Sequence, residues 1–377
     1  MGPLAGYKII ELAGIGPGPF AGMMLADMGA DVIRIDRPGS GNNAGDVLCR
    51  NRRSIAVDLK KLQGIEVVLK LCEGADAIFE GLRPGVTERL GVGPDDCMRR
   101  NKKLVYGRMT GWGQTGPMAH AAGHDINYIS LSGALHAIGV EGGKPVPPLN
   151  LVGDFGGGGM FLAYGIVCAL LESQKSGEGQ VIDASMVEGS AVLMSMFSTM
   201  QGWGLFSDKR GTHMLDSGAH FYDSYETKDR KFVSIGSIEP QFYELLIEKA
   251  ELDADQFKDQ NSPAQWRPLK DVLTEVFKSR TRDQWCDIME GTDVCFAPVL
   301  SLKEAPEHPH NKSRNSFINV NGLVQPAPAP RFSRTIAATP TPGCKPGQDS
   351  ESILRDFDFD DTSITNLMDS KVVLQSA

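Results

Sequence analysis

Three acids and one histidine stand out by type and setting. His124 sits directly before Asp125 in "AAGHDINYISLSG" (121–133). Asp154 precedes four glycines in "PLNLVGDFGGGG", and Glu239 precedes Pro240 in "SIGSIEPQFYELL". An imidazole and a carboxylate are the groups best suited to take and return protons near neutral pH. Each residue also has an ordinary structural reading. His124, taken alone, reads as a half-buried histidine held by Asp125 or a backbone carbonyl. Asp125 reads as the cap of a helix opening at Ile126. Asp154 reads as a helix N-cap and Glu239 as an exposed first-turn acid. The run of four glycines is costly to order and is expected where something approaches the backbone closely. Spacing along the chain does not bring these residues together.

The elements that must position them alternate in type. "YKIIEL" (7–12), "DVIRID" (31–36), "SIAVDL" (54–59), "ADAIFE" (75–80), "KLVYGRMT" (103–110) and "QVIDASM" (180–186) read as strands. Helical patterns fall at 20–30, 61–73 and 156–173, the last apolar enough to expect deep burial. Such alternation predicts an α/β fold whose parallel sheet is covered on both faces. Residues 1–186 read as a large domain and 187–220 as a linker. In 221–315 a smaller domain is expected, with an antiparallel pair around "TKDRK" and helices at 239–251 and 263–278. Six prolines between 326 and 346 mark 316–345 as an extended linker. The acidic stretch 346–377 reads as a helical end that docks elsewhere.

The chain has 377 residues and a net charge of −9, which argues against bulk nucleic-acid binding. Placed arginines still suffice for a phosphate-bearing ligand. No apolar run approaches the roughly 20 residues of a membrane span. The N-terminus lacks the features of a secretory signal, and the last three residues, Gln375-Ser376-Ala377, are no peroxisomal address. Seven cysteines without CxxC spacing read as reduced intracellular thiols and no zinc framework. His308-Pro309-His310 lacks the further ligands of a metal site and reads as a surface loop.

Gly14-Ile15-Gly16-Pro17-Gly18 follows a strand, precedes a helix, and has Asp36 downstream, close to a dinucleotide-binding fingerprint. Pro19 replaces the third glycine, and Pro17 and Pro19 lack the N–H groups a pyrophosphate needs. A nicotinamide cofactor is therefore disfavoured. Arg34 and Arg37 flank Asp36, which suits a phosphate or adenine as well as a ribose.

Taken in order, "ELAGIGPGPFAGMMLADMGADVIRIDRPGS", "RPGVTERLGVGP", "RMTGWGQTGP", "AGHDINYISLSG", "PLNLVGDFGGGG", "GQVIDASMVEGSA" and "IEPQFYELL" resemble the family III CoA-transferases. Within that superfamily they resemble the branch that racemises 2-methylacyl-CoA thioesters. The resemblance covers nearly the whole chain and is weakest after about residue 340. It implies a Rossmann-like large domain, a smaller α+β domain, a C-terminal segment returning to the large domain, and an obligate, interlocked homodimer. It implies (2R)/(2S) epimerisation by 1,1-proton transfer through an enolate, with no cofactor or metal beyond the acyl-CoA substrate. His124, paired with Glu239 of the other subunit, serves one face and Asp154 the other; the Asp125 N–H meets the enolate oxygen. CoA is expected along Arg37, Val57, Asp58, Leu59, Lys60, Gly81, Leu82, Arg83 and Arg89. Gly123, Ile126, Asn127 and Tyr128 are expected beside the thioester. Met186, Met194, Met196, Met200 and Met214 read either as adaptable core or as a soft surface for the acyl chain.

Ser217 and His220 stand where the resemblance implies Gly and Pro, which places a polar group near the site and leaves the acyl preference open. The resemblance leaves the compartment to the host: cytoplasm in a bacterium, peroxisome or mitochondrion in an animal. Three rivals remain: a family III CoA-transferase with Asp154 as nucleophile, a silent acyl-CoA-binding protein, and a nicotinamide dehydrogenase.

Overall fold

The computed structural model describes residues 2–41 and 45–376. The chain divides into two compact units. One comprises Met1–Ser132, Leu149–Met194 and Asn315–Ala377; the other comprises Gly133–Pro148 and Ser195–Arg314.

The first unit is built on a seven-stranded sheet. Its strands are β1 (Lys8–Leu12), β2 (Asp31–Asp36), β3 (Arg52–Val57), β4 (Ala77–Glu80), β5 (Val105–Thr110) and β6 (Val181–Ser185), with a C-terminal strand, Val373–Leu374, on one edge. The order is Val373–Leu374, β3, β2, β1, β4, β5, β6. All pairings are parallel except that of the C-terminal strand with β3, where Val373 faces Val57. The C-terminal segment thus does return to the large sheet.

Adjacent residues in a strand point to opposite faces, and in β1 to β5 both faces carry buried apolar residues. Ile10, Ile33, Ile55 and Ile78 pack with Val67, Leu71, Ile353 and Leu354 on one side. Ile9, Val32, Ala77, Phe79 and Val105 pack with Leu25, Leu162 and Ile166 on the other. Full burial of each large side chain contributes about 1.5–3 kcal/mol, so two covered faces require the near-continuous apolar strands seen in the sequence.

The helix Met160–Ser176 continues from a π-helical segment, Leu151–Gly159. Together they form 26 residues, long and apolar enough to cross a membrane by length and composition. Leu162, Ile166 and Leu170 are buried in the core, whereas Met160, Tyr164 and Leu171 are exposed. The expectation of deep burial therefore holds for one face. The expectation that no apolar run approaches spanning length counted unbroken runs only; this helix passes on length and composition because its Leu, Ile, Val, Phe and Met outweigh the glycines and Tyr164 between them.

The second unit contains β7 (Tyr222–Glu226), β8 (Phe232–Gly236) and β9 (Phe296–Val299) in an antiparallel sheet. "TKDRK" turns between the first two. Helices Pro240–Lys249, Pro263–Lys278 and Arg282–Met289 pack on it around Phe221, Leu246, Leu273, Phe277 and Trp285. The stretch 187–220 is not a plain linker: helix Met186–Leu193 extends into it and Ser195–Gly202 lies within it. His308 Nε2 lies 2.6 Å from Glu290 Oε1, so this part of the His-Pro-His fragment pairs with a neighbouring carboxylate.

His220 does not offer a polar group to a site. It is fully buried in the second unit, its Nε2 is 2.6 Å from the Tyr243 hydroxyl, and Nδ1 has no partner among the described residues. Burial, with the nearby Lys270 charge, lowers its pKa to about 4. The unfolded chain takes up this proton near pH 6.5, so stability falls as pH drops from there towards 4. The loss is on the order of 3 kcal/mol. Chemical denaturation at pH 7.5 and 4.5 is expected to show it, and His220→Gln to shrink the difference between the two pH values.

Candidate active site

In a sheet of this order, the direction of winding reverses between β1 and β4, and ligands collect outside the carboxyl ends of the strands there. Two cavities occupy that position. One, of about 460 Å³, lies beyond β1, β2 and β3 and is lined by Ala13, Asp36, Arg37, Val57, Asp58, Leu59, Lys60 and Leu82. The other, of about 490 Å³, lies beyond β1, β4 and β5. Its lining includes Ile15, Gly16, Pro17, Gly81, Leu82, Arg83, Trp112, Gly123, His124, Tyr128, Asp154 and Met186. Leu82 lines both, so they form adjoining chambers of ligand-pocket size.

His124 is exposed to the cavity and is the N-cap of helix Asp125–Leu131. Its N–H donates to Asn127 Oδ1 at 3.0 Å. Behind it, the Tyr128 hydroxyl donates to the Gly123 carbonyl, and the Tyr128 ring meets Trp112 edge-on at 4.8 Å. A Cβ at Gly123 would sit 2.8 Å from the Tyr128 ring, so glycine lets the loop close on it. This decides against the half-buried structural histidine. Asp125 does not hold the imidazole, nor does it cap a helix starting at Ile126. Its carboxylate points the other way, and Oδ1 accepts from Asp154 N at 2.7 Å.

Asp154 is likewise no N-cap: it lies inside the π-helical segment. Asn150 Nδ2 donates to its Oδ2 at 3.2 Å. The four glycines after it explain the placement. A Cβ on Gly157 would lie 2.6 Å from Ser190 N, and one on Gly159 would lie 2.7 Å from Pro17 O. What approaches the glycine backbone is thus the protein's own neighbouring helices, and their contact turns Asp154 into the cavity. The loop that imitates a dinucleotide fingerprint forms the facing wall. Gly16, at φ 68°, leaves its missing Cβ position 3.2 Å from Asp154 Oδ2.

The nicotinamide reading fails on Asp36. Its carboxylate is buried, accepting from Arg34 Nε at 2.9 Å and Ser54 Oγ at 2.6 Å. It is not available to a ribose, nor is buried Arg34 to a phosphate. Arg37 alone of the flanking arginines faces a cavity.

Loop 81–83 is held from below. Leu82 N donates to Glu80 Oε2 at 2.6 Å, and Arg108 bridges Glu80 to Glu88 at 3.2 and 2.7 Å. Burial raises the Glu80 carboxyl to about 7 despite these partners. No sequence signal pointed to Glu80, because its role depends on the turn that follows β4. Glu80→Ala is expected to weaken roughly tenfold the binding of a ligand that rests on loop 81–83, the loss of one charge-assisted hydrogen bond, as a direct binding titration would show.

Other expected residues lie apart. Arg89 is exposed on helix Val86–Leu90, outside the lining of either cavity. Ile126 is 43% exposed and outside them too. Glu239 is exposed in the second unit, as N-cap of helix Pro240–Lys249. Among the methionines, Met186 lines the cavity. Met194 ends the first unit's central segment, Met196 and Met200 lie on helix Ser195–Gly202, and Met214 packs on the second unit's core. Ile15, Pro17 and Trp112 line the cavity without having been singled out for it.

The model of CoA-transferase family III matches residues 4–350. The chain belongs to CoA-transferase family III. The family member is 46% identical to the alpha-methylacyl-CoA racemase of Mus musculus, over 98% of this chain and 97% of that protein. It is 44% identical to the alpha-methylacyl-CoA racemase of Homo sapiens, over 98% and 97%. The succinyl-CoA:glutarate CoA-transferase of Homo sapiens is 30% identical over 99% of this chain and 90% of its own. Among solved structures, a CAIB/BAIF family protein from Brucella suis superposes with TM-score 0.81 at 24% identity, covering 95% of this chain and all of that one. The α/β fold expected from the strand pattern is thus the fold of this family.

Proposed function

We propose that this family member interconverts (2R)- and (2S)-2-methylacyl-CoA thioesters. The observation that carries this reading is the shared cavity: His124 and Asp154 both line it, beside a second chamber lined by Arg37 and Lys60. The identity to two racemases supports it. One base removes the α-proton, and the electron pair of the broken C–H bond moves to the thioester oxygen. The other, protonated, delivers a proton to the opposite face of the planar enolate. The Asp125 N–H, at a helix start without an intrahelical acceptor, stabilises the enolate oxygen. Two side chains that exchange protons need no cofactor.

The CoA portion is assigned to Arg37, Val57–Lys60 and Gly81–Arg83, with arginines meeting phosphates through paired hydrogen bonds, and Arg89 at the rim. Gly123, Ile126, Asn127 and Tyr128 flank the thioester. The acyl chain runs over Met186, Met194, Met196, Met200 and Met214. The working form is a homodimer in which Glu239 of one subunit pairs with His124 of the other. Exposed Ile126, Leu131, Leu151, Tyr164, Leu171, Val192 and Leu193 support such an interface, because they lie on the π-helical segment and on three helices packed against it. The odd cysteine count supports an intracellular setting; the compartment follows the host cell.

The test is to supply one epimer without any acceptor acid and to follow the other by chiral chromatography. Conversion towards a mixture supports the racemase. Turnover only when a free carboxylic acid is added supports the transferase, with Asp154 as nucleophile.

A further inference from the structure

The Asp125 carboxylate is turned from the cavity and only 8% of the residue is exposed. Its hydrogen bonds go to the segment that bears the opposite base: Asp154 N donates to Oδ1 at 2.7 Å, and the Gly153 N–H also reaches the carboxylate. A Cβ on Gly153 would lie 2.3 Å from Oδ1, so glycine is what lets the carboxylate come this close. Oδ2 is buried without a partner among the described residues. Burying a carboxylate with one oxygen unpaired costs stability. The oxygen that is paired is committed to the N–H groups of the Asp154 segment, which points to a role in holding that segment. His124 is the residue next to Asp125, so the two bases are joined by one peptide bond and one hydrogen bond. Loss of such a link shifts one base against the other, and displacements near 1 Å cost about 10²-fold in rate.

We infer that the Asp125 side chain is a positioning residue that fixes the separation of His124 and Asp154 across the enolate plane, and so governs inversion rather than proton removal. This rests on the racemase reading, and the experiment separates the two.

Wild type, Asp125→Ala and Asp125→Asn are each given one epimer at a time in D2O, with α-proton washout read by NMR and inversion by chiral chromatography. For the epimer whose proton faces His124, Asp125→Ala is expected to keep washout within about threefold of wild type while inversion falls at least about tenfold. The enolate still forms, but deuterium returns from the same side. Asp125→Asn keeps an acceptor oxygen for the two N–H groups and recovers inversion to within about threefold. Gly153→Ala displaces the carboxylate from the other side and is expected to give the same split, which keeps the test independent of how Asp125→Ala folds. Washout and inversion falling by one common factor, or inversion unchanged, overturns the positioning role. No washout in wild type overturns the racemase reading itself, and the inference with it.

Discussion

Asp154→Asn is expected to lower epimer interconversion by roughly 10²–10⁴-fold while leaving acyl-CoA binding intact. The substitution keeps shape and keeps a group that Asn150 can meet, so the π-helical segment stays as it is. It removes only the capacity to hold and release a proton at the cavity wall. The effect therefore falls on kcat, and KM stays near its wild-type value. Chiral chromatography measures the turnover and a direct binding titration with the thioester measures affinity. Equal loss in both would mean that Asp154 serves binding, not proton transfer.

The second large effect comes from a residue that bears no functional group. Gly189, on helix Met186–Leu193, lies against the π-helical segment: a Cβ there would sit 1.9 Å from Gly157 O and 2.7 Å from Gly157 C. Those are backbone atoms and cannot rotate away. Gly189→Ala is expected to destabilise the fold by about 1–3 kcal/mol and to lower kcat about 10²-fold, because the segment that carries Asp154 must move. The chamber beyond β2 and β3 is remote from this contact, so KM should change far less. Thermal unfolding and steady-state kinetics on one sample check both parts. A destabilised enzyme with normal kcat would show that Asp154 tolerates movement of its support.

The sheet was legible because its strands β1 to β5 are buried on both faces. "KIIEL" and "DVIRID" are continuous apolar runs with polar punctuation, and they became adjacent parallel strands in register, Ile10 beside Ile33. Helix Ser195–Gly202 was not legible. It is eight residues long, so the Met196 and Met200 spacing covers too short a window to declare a helical period. The glycine run showed that some backbone had to be approached, but not by what. Only the packing of the helices at Pro17 and Ser190 supplies the answer. His124 could be quoted from the sequence, yet its role turns on where Asp125 points, and that depends on a hydrogen bond 29 residues away in sequence. Asp36 misled for a similar reason, since Ser54 and Arg34 engage it only once β3 lies beside β2.

The central claim is that one side chain takes the α-proton while the other delivers a different proton to the opposite face. Its most direct test is to incubate the protein with a single epimer of a 2-methylacyl-CoA in D2O, with no acceptor acid, and to follow the α-proton by NMR. The account predicts washout of that signal together with appearance of the other epimer. Intact binding without washout would contradict it.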